Sequence, residues 1–108
     1  MEPEVWEKGC MESDRIRWCE DGRYVKACGR VIIIHTPPTK SGKRVMFITL
    51  EDARGLFDVT VFENVGKRCA KIVLSQTVLV VEGVVNRFGL RGVSILARNI
   101  RAPRRAND

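Results

Sequence analysis

The amino-acid sequence predicts a small all-β domain, a closed barrel of five strands with one short helix between the third and fourth strands. Two observations support this prediction. Stretches rich in Val, Ile, Thr and Phe recur along the chain, and these residue types pack well on a pleated, half-buried surface. A single amphipathic segment at residues 63–74 interrupts them with apolar residues at helical spacing. Closing the sheet removes the exposed edges through which strands aggregate.

The clearest element is a hairpin predicted over residues 45–62. Its join has Asp52 early and Gly55 late, which suits a four- or five-residue turn whose glycine takes a positive φ. Alternation along the two arms then assigns their faces. The core face receives Met46, Ile48, Leu50, Phe57, Val59 and Val61. The opposite face receives Phe47, Thr49, Glu51, Asp58, Thr60 and Phe62, which combine hydroxyls, carboxylates and two aromatic rings.

The other three strands are predicted before the hairpin and after the helical segment. The first is predicted over residues 24–35, with Gly29 near its middle, where a strand glycine marks a bend or bulge. Such a bend lets one strand serve two sides of a curled sheet. Residues 36–43 are a loop by composition, the fourth strand is predicted over 78–86, and a turn at 87–92 leads to a fifth over 93–100. The order of strand, strand, strand, helix, strand, strand is that of the OB-fold.

The domain prediction has three parts. Residues 1–22 form an extension that packs on the barrel or links it to another segment, residues 23–101 form the OB-fold, and residues 102–108 form a flexible basic tail. The only tryptophans, Trp6 and Trp18, lie in the extension. We expect them to cap one end of the core, because indole rings are costly to leave in water. The alternative is that they belong to a linker.

Composition narrows the classes of function. A chain of 108 residues with 44% apolar residues fits one folded domain. Its 19 Lys and Arg against 13 Asp and Glu give a net charge of +6, which favours a polyanionic partner. No signal peptide or long apolar run is present, so we expect a soluble, cytoplasmic protein. Four cysteines without a Cys-x-x-Cys pair indicate reduced thiols rather than a zinc site.

An enzymatic function is not indicated. The single histidine, His35, ends a strand and has no matching nucleophile pattern. The segment Ser41-Gly42-Lys43 lacks the upstream glycine and the following hydroxyl residue of a phosphate-binding loop. No pair of carboxylates has a setting for acid–base chemistry. We therefore predict neither catalysis nor a cofactor.

Three stretches resemble a known family. Residues 24–31, residues 47–62 with their Leu-Glu-Asp-x-x-Gly turn, and residues 78–85 resemble the OB domain of bacterial DNA polymerase III alpha subunits. Error-prone relatives of that subunit carry a similar domain, and class II aminoacyl-tRNA synthetases share a weaker version in their anticodon-binding domains. The resemblance covers residues 22–100 and implies a nucleic-acid-binding module without the polymerase's catalytic carboxylates. Phe62 stands where family members often have Trp.

The resemblance implies a binding face for single-stranded nucleic acid on the polar side of the hairpin. Phe47 resembles the base-stacking aromatic of synthetase OB domains, and stacking contributes about 1–3 kcal/mol per base. Phe62 is a second candidate for stacking, and Thr49, Asp58 and Thr60 are candidates for contacts to base edges. In OB-folds, the loops after the first and fourth strands flank this face. The candidate residues in these loops are Lys40, Lys43, Arg44, Arg87, Phe88 and Arg91.

Each of these assignments has an alternative. Phe47 can cover the barrel beneath a tryptophan, Phe62 can tuck beneath the helix, and Asp58 can form an ion pair with Arg44. Single-stranded DNA is the predicted partner, with RNA left open. The alternative functions are docking of another replication or repair protein, and binding of transfer RNA.

Overall fold

The computed structural model describes residues 7–89 and 92–104. Its elements, in chain order, are α1 (Ser13–Ile16), β1 (Tyr24–His35), β2 (Met46–Asp52), β3 (Gly55–Val61), α2 (Glu63–Ser75), β4 (Val78–Phe88) and β5 (Gly92–Arg101). The strands form a closed barrel in the order β1-β2-β3-β5-β4. This confirms the predicted five-stranded barrel of the OB-fold and the helix between its third and fourth strands.

The long strand β1 takes part in both halves of the barrel. Its first part pairs with β4 from Tyr24 to Arg30, and its second part pairs with β2 from Arg30 to His35. Gly29 lies at this change of partner, where an added Cβ would come within 2.9 Å of the Leu50 Cβ and 3.0 Å of a backbone oxygen. The register shift itself falls two to four residues later, between Val31 and Ile33. The glycine therefore allows a close crossing of strands, and the bulge follows it.

The barrel closes through one short parallel contact between β3 and β5. Two residue pairs define it, Val59 with Ile95 and Thr60 with Leu96. All other neighbouring strands run antiparallel over longer ladders. The closure thus depends on the least extensive pairing in the sheet.

The core lies inside the barrel and beneath α2. The face assignment from alternation is confirmed, since Ile48, Leu50, Phe57, Val59 and Val61 are all buried. Met46 is partly buried and packs against the same cluster. Helix α2 adds Val65, Cys69 and Val73 from one of its faces, as its periodicity predicts. The opposite face of β2 and β3 is consequently left for solvent.

The hairpin turn is shorter than the predicted four or five residues. Asp52 and Gly55 pair with each other, so only Ala53 and Arg54 form the loop. Oδ1 of Asp52 accepts hydrogen bonds from the backbone nitrogens of Arg54 (2.9 Å) and Gly55 (3.0 Å). Gly55 adopts φ of +147°, a conformation that other residues rarely take. The aspartate and the glycine together stabilise the tight turn.

Within the described part of the extension, Ser13, Ile16 and Cys19 are buried against the barrel, but the expectation that Trp18 caps the core is wrong. Its side chain is 79% exposed, whereas Ile16, two residues earlier, is buried. Ile16, the last residue of α1, and Cys19, three residues later, both belong to the buried core cluster. Trp6 lies outside the described residues.

Glu7, the first residue that the structure describes, joins the extension to the end of β5. Its two carboxylate oxygens accept hydrogen bonds from Nη1 and Nη2 of Arg101, each at 2.5 Å. Lys26 Nζ lies 2.8 Å from Oε2, and the Arg104 backbone nitrogen donates to Oε1. The Arg101 hydrogen bonds hold the pKa of Glu7 well below its usual range, against the opposing effect of burial. The predicted flexible tail falls partly on residues 105–108, which lie outside the described residues.

Two further expectations concern membranes and metals. Among the described residues, no helix is long and apolar enough to cross a membrane. Cys19, Cys28 and Cys69 are buried thiols and Cys10 is half-buried. Hydrogen bonding to Cys28, together with burial, raises the pKa of the Cys10 thiol. In residues 7–89 and 92–104, no group of three or more His, Cys, Asp or Glu side chains could hold a metal ion.

Candidate nucleic-acid interface

The outward face of β2 and β3 presents the predicted hairpin residues side by side. Phe47 lies opposite Thr60, and Thr49 lies opposite Asp58. The Phe47 ring is 41% exposed and therefore does not belong to the core. Its cross-strand neighbours are Thr60 on β3 and His35 on β1, so the partly exposed ring lies between a hydroxyl and an imidazole.

Two hydrogen bonds fix the polar side chains of this face. Thr49 Oγ1 donates to Asp58 Oδ1 at 2.9 Å. The hydroxyls of Thr60 and Ser94 lie 2.8 Å apart and share a second bond, which links β3 to β5. Asp58 is thus bonded across the hairpin to Thr49, and no ion pair with Arg44 is found in the described parts of the chain. Its second carboxylate oxygen remains available as an acceptor.

Phe62 lies on the same face, directly after the last residue of β3. It is the N-cap residue of α2, with φ of −74° and ψ of 162°, and its ring is 49% exposed. The helix therefore does not cover it. Phe47 and Phe62 place two partly exposed rings near one end of the face.

A cationic loop adjoins this end. Lys40, Lys43 and Arg44 are all exposed in the connection between β1 and β2. The loop is held by local bonds, including one from Thr39 Oγ1 to the Lys43 carbonyl and one from the Gly42 nitrogen to the Thr39 carbonyl. Within the described residues, none of the three cations forms a salt bridge. Their charges are available to an anionic ligand.

The loop after β4 is the second one predicted to flank this face, and its candidate residues differ in their exposure and contacts. Phe88 ends β4 and is 55% exposed. Arg87 is instead half-buried, and its Nη1 donates to the carbonyls of Arg17 (2.7 Å) and Cys19 (3.1 Å). Arg87 therefore anchors the extension, in addition to any contact with a ligand. Arg91 lies outside the described residues.

The sequence patterns did not identify two residues at this site, the exposed Leu56 and the buried Ser94. Leu56 is 53% exposed at the start of β3 and has the same parity as Asp58 and Thr60. Alternation could have identified it, because Leu56 lies two residues before Asp58 in the same strand. Ser94 comes from β5, and no local pattern indicates that β5 runs parallel to β3. Its partnership with Thr60 is visible only in the folded barrel.

The electrostatics of the face are mixed. Glu51 pairs with Arg30 at 2.7 Å, and both side chains are exposed, so the pair contributes little to stability. Asp58 adds a second carboxylate near the centre. Cations lie mainly at the periphery, in the loop between β1 and β2. This distribution suits a ligand whose bases contact the centre of the face and whose phosphates follow its edge.

Comparison with known proteins places the barrel in a family. A family model described as an OB-fold nucleic acid binding domain matches residues 21–102. The error-prone DNA polymerase of Symbiobacterium thermophilum is 36% identical over 96 residues, which is 87% of this chain and 9% of that polymerase. The error-prone DNA polymerase of Pseudomonas paraeruginosa is 37% identical over 85 residues, 78% of this chain and 8% of that polymerase. The resemblance to the polymerase OB domain is thereby confirmed, and the chain spans under a tenth of these relatives' length.

Proposed function

Because the chain belongs to the family of OB-fold nucleic acid binding domains, we propose that it binds single-stranded nucleic acid, and specifically single-stranded DNA. The proposed site is the outward face of β2 and β3 with the cationic loop before β2. Bases stack on Phe47, and phosphates are attracted by Lys40, Lys43 and Arg44. The observation that carries the proposal is the partly exposed Phe47 ring on a polar strand face, near the start of a strand that follows a loop with three exposed cations.

The two kinds of contact make separable contributions. Stacking of one base on an aromatic ring contributes about 1–3 kcal/mol and tolerates any base. Phosphate attraction is independent of sequence and weakens with salt, with a slope of roughly −0.7 in log affinity against log salt per phosphate neutralised. Neither contact requires a hydrogen bond to a particular base. We therefore expect these two contacts to add little sequence preference and to make binding depend strongly on salt.

Fluorescence anisotropy of labelled oligo(dT) at several salt concentrations tests the proposal. We expect Phe47→Ala to weaken binding by about 5- to 150-fold while leaving the salt slope unchanged. Replacing Lys40, Lys43 and Arg44 together by Gln should reduce the slope by roughly 2, because about three phosphate contacts are lost. Binding that is insensitive both to salt and to Phe47→Ala contradicts the proposal.

The chain offers a matched control for Phe47. Tyr24 is also an exposed aromatic residue of the barrel, but it lies where β1 pairs with β4, away from the proposed site. Tyr24→Ala should leave oligo(dT) affinity unchanged. An equal loss in both variants would indicate a general effect on the barrel and would count against stacking on Phe47.

The same assay separates the alternative partners. Tighter binding of an anticodon stem-loop than of oligo(dT) would favour transfer RNA, and tighter binding of oligo(U) would favour RNA more generally. No binding of any oligonucleotide at low salt would leave docking of a replication or repair protein as the function. We expect oligo(dT) to bind at least as tightly as either RNA.

We also propose that the chain is a non-catalytic module that works with DNA in the cytoplasm, as part of a polymerase or beside one. The proposal is supported by the relatives, which are named error-prone DNA polymerases although this chain matches only 9% or less of their length. The purified chain should incorporate no nucleotide on a primed template. Incorporation by the chain alone would contradict the proposal.

A further inference from the structure

Most of the positive charge of the chain lies on two neighbouring segments. The loop before β2 (residues 36–45) and the helix α2 together contain six cations and one carboxylate, so they account for +5 of the net charge of +6. The carboxylate, Glu63, is half-buried at the start of α2. Within the described residues, none of the six exposed cations forms a salt bridge; they are Lys40, Lys43, Arg44, Lys67, Arg68 and Lys71.

An apolar groove lies between these two segments. A cavity of about 580 Å³ has apolar walls formed by Ile34, Met46, Val61 and Leu74, and its lining also includes Arg44, Glu63 and Lys67. A second cavity, of about 480 Å³, shares Ile34 and Leu74 with the first and extends to Ile32 and Thr77. Because the two cavities share these residues, they form one continuous depression between α2 and the second half of β1, here called the α2 groove.

Apolar side chains of the α2 groove remain in contact with solvent. Leu74 follows the buried Val73 near the end of α2, and its side chain is 72% exposed. Ile32, on the facing strand β1, is 41% exposed. Lys67 lies seven residues before Leu74, two helical turns away on the same side of the helix. An aliphatic group bound in the groove would therefore cover exposed apolar surface while lying close to a cation.

The walls of the groove favour one class of anionic ligand. Nucleic acid supplies several phosphates, but the apolar walls offer neither an aromatic ring for stacking a base nor a polar group for its edge. An amphiphile with a single anionic head would leave most of the six cations without a partner. An acidic peptide supplies several carboxylates and can also carry the aliphatic side chains that fill an apolar groove. The α2 groove is therefore complementary to an acidic peptide in both charge and polarity.

We propose that the α2 groove binds an acidic segment of another protein, in which Asp and Glu are interspersed with large aliphatic residues. Aliphatic side chains of the segment pack against Leu74 and Ile34, and its carboxylates lie near Lys67 and the loop before β2. The inference goes beyond the proposed function, because stacking of bases on Phe47 does not involve α2. Arg44 is common to the two sites, since it lines the groove and also belongs to the cationic loop.

Three labelled peptides test the class of ligand by fluorescence anisotropy. The first has the sequence Glu-Asp-Leu-Glu-Glu-Leu-Leu-Asp, the second replaces its leucines by serine, and the third replaces its acidic residues by lysine. We expect the purified chain to bind the first peptide at least about tenfold more tightly than either of the others, because each control lacks one of the two kinds of contact. Equal affinity for the first two peptides, or no binding of the first at low salt, overturns the inference.

Substitutions test whether the peptide occupies the α2 groove. Leu74→Ser should weaken the first peptide at least about tenfold, because an aliphatic contact is lost. Lys67→Gln should weaken it about 1.4- to 5-fold, as expected for one exposed ion pair. Two matched controls should leave its affinity unchanged: Leu56→Ser removes an exposed leucine of β3, and Arg23→Gln removes an exposed arginine that lines a different cavity. Unchanged affinity in Leu74→Ser overturns the inference.

Oligo(dT) separates this groove from the proposed nucleic-acid site. Because the Leu74 side chain is exposed and contributes no charge, Leu74→Ser should keep the fold and the affinity for oligo(dT). A parallel loss of peptide and oligo(dT) affinity in this variant would assign the groove to nucleic acid and overturn the inference. Groove-dependent binding of the peptide by a chain that binds no oligonucleotide would support the inference and contradict the proposed function.

Discussion

Asp52 holds Ser13 with both of its carboxylate oxygens. Oδ2 accepts the Ser13 backbone nitrogen at 2.7 Å, and Oδ1 accepts the Ser13 hydroxyl at 2.6 Å. Both residues are buried, and Oδ1 also accepts the two backbone nitrogens that close the hairpin turn. One side chain therefore connects the extension to the β2–β3 turn and fixes where α1 begins.

Removing this carboxylate should destabilise the fold. We expect Asp52→Ala to lower the free energy of unfolding by about 3 kcal/mol, because buried donors left without an acceptor cost about 1–3 kcal/mol each. Urea denaturation measures the difference. Glu20→Ala, which removes an exposed carboxylate, should change the same quantity by less than about 0.5 kcal/mol. Similar values for the two variants would show that the Asp52 bonds are not retained in solution.

Two glycines should respond oppositely to alanine. At Gly83, an added Cβ would lie 2.1 Å from the Leu96 backbone oxygen, so a strand must move. We expect Gly83→Ala to cost at least about 3 kcal/mol, beyond ordinary overpacking. At Gly66 in α2 the nearest atom lies at 3.9 Å, and alanine should stabilise the helix by about 0.5–1 kcal/mol. Thermal unfolding of both variants checks the pair, and a stable Gly83→Ala protein would contradict the packing of β4 against β5.

The Glu7 cluster should make stability depend on pH. The folded-state pKa of Glu7 lies below its ordinary value of 4.5, chiefly because of the Arg101 hydrogen bonds. A depressed carboxyl pKa contributes stability above the unfolded-state value and loses it as the pH falls towards the folded-state value. Glu7→Gln should therefore cost about 2 kcal/mol at neutral pH, and this difference should shrink progressively below pH 4.5. A difference that stays constant across this range would show that Glu7 is not charged in the cluster.

Asp58 should affect base preference rather than overall affinity alone. Its carboxylate repels phosphate but can accept a hydrogen bond from a base amine, so Asp58→Asn should bind oligo(dT) slightly more tightly. Oligo(dC) should lose up to about tenfold relative to oligo(dT), because a hydrogen bond contributes about 0.5–1.5 kcal/mol. Glu51→Gln removes a charge from the same face and should shift both strands alike. Equal shifts for both strands in Asp58→Asn would contradict a contact to base edges.

Alternation and periodicity predict much of this fold. The parity of residues along β2 separates Phe47 from Ile48 and Leu50, and burial follows it. The face of α2 that packs inward is likewise given by the spacing of its apolar residues. These patterns work because a strand or helix can bury only one set of positions at its own period.

Other features depend on contacts between distant segments. The propensity of tryptophan for burial predicts a capping role for Trp18, but Ile16 fills that space and the ring stays outside. Composition identifies Arg87 as a cation beside a loop. It does not reveal that Arg87 donates to the carbonyls of Arg17 and Cys19, which lie 70 and 68 residues earlier in the chain. No local pattern carries either relationship.

The short parallel contact between Val59–Thr60 and Ile95–Leu96 has a kinetic consequence. Its two sides are separated in the chain by α2 and β4. Among neighbouring strands of the sheet, only β1 and β4 are separated by a longer stretch of chain. Formation of the β3–β5 contact therefore requires a large loop closure. We expect this seam to form late during refolding and to open first under native conditions. Backbone amides along it should then exchange with deuterium sooner than those of the β2–β3 hairpin.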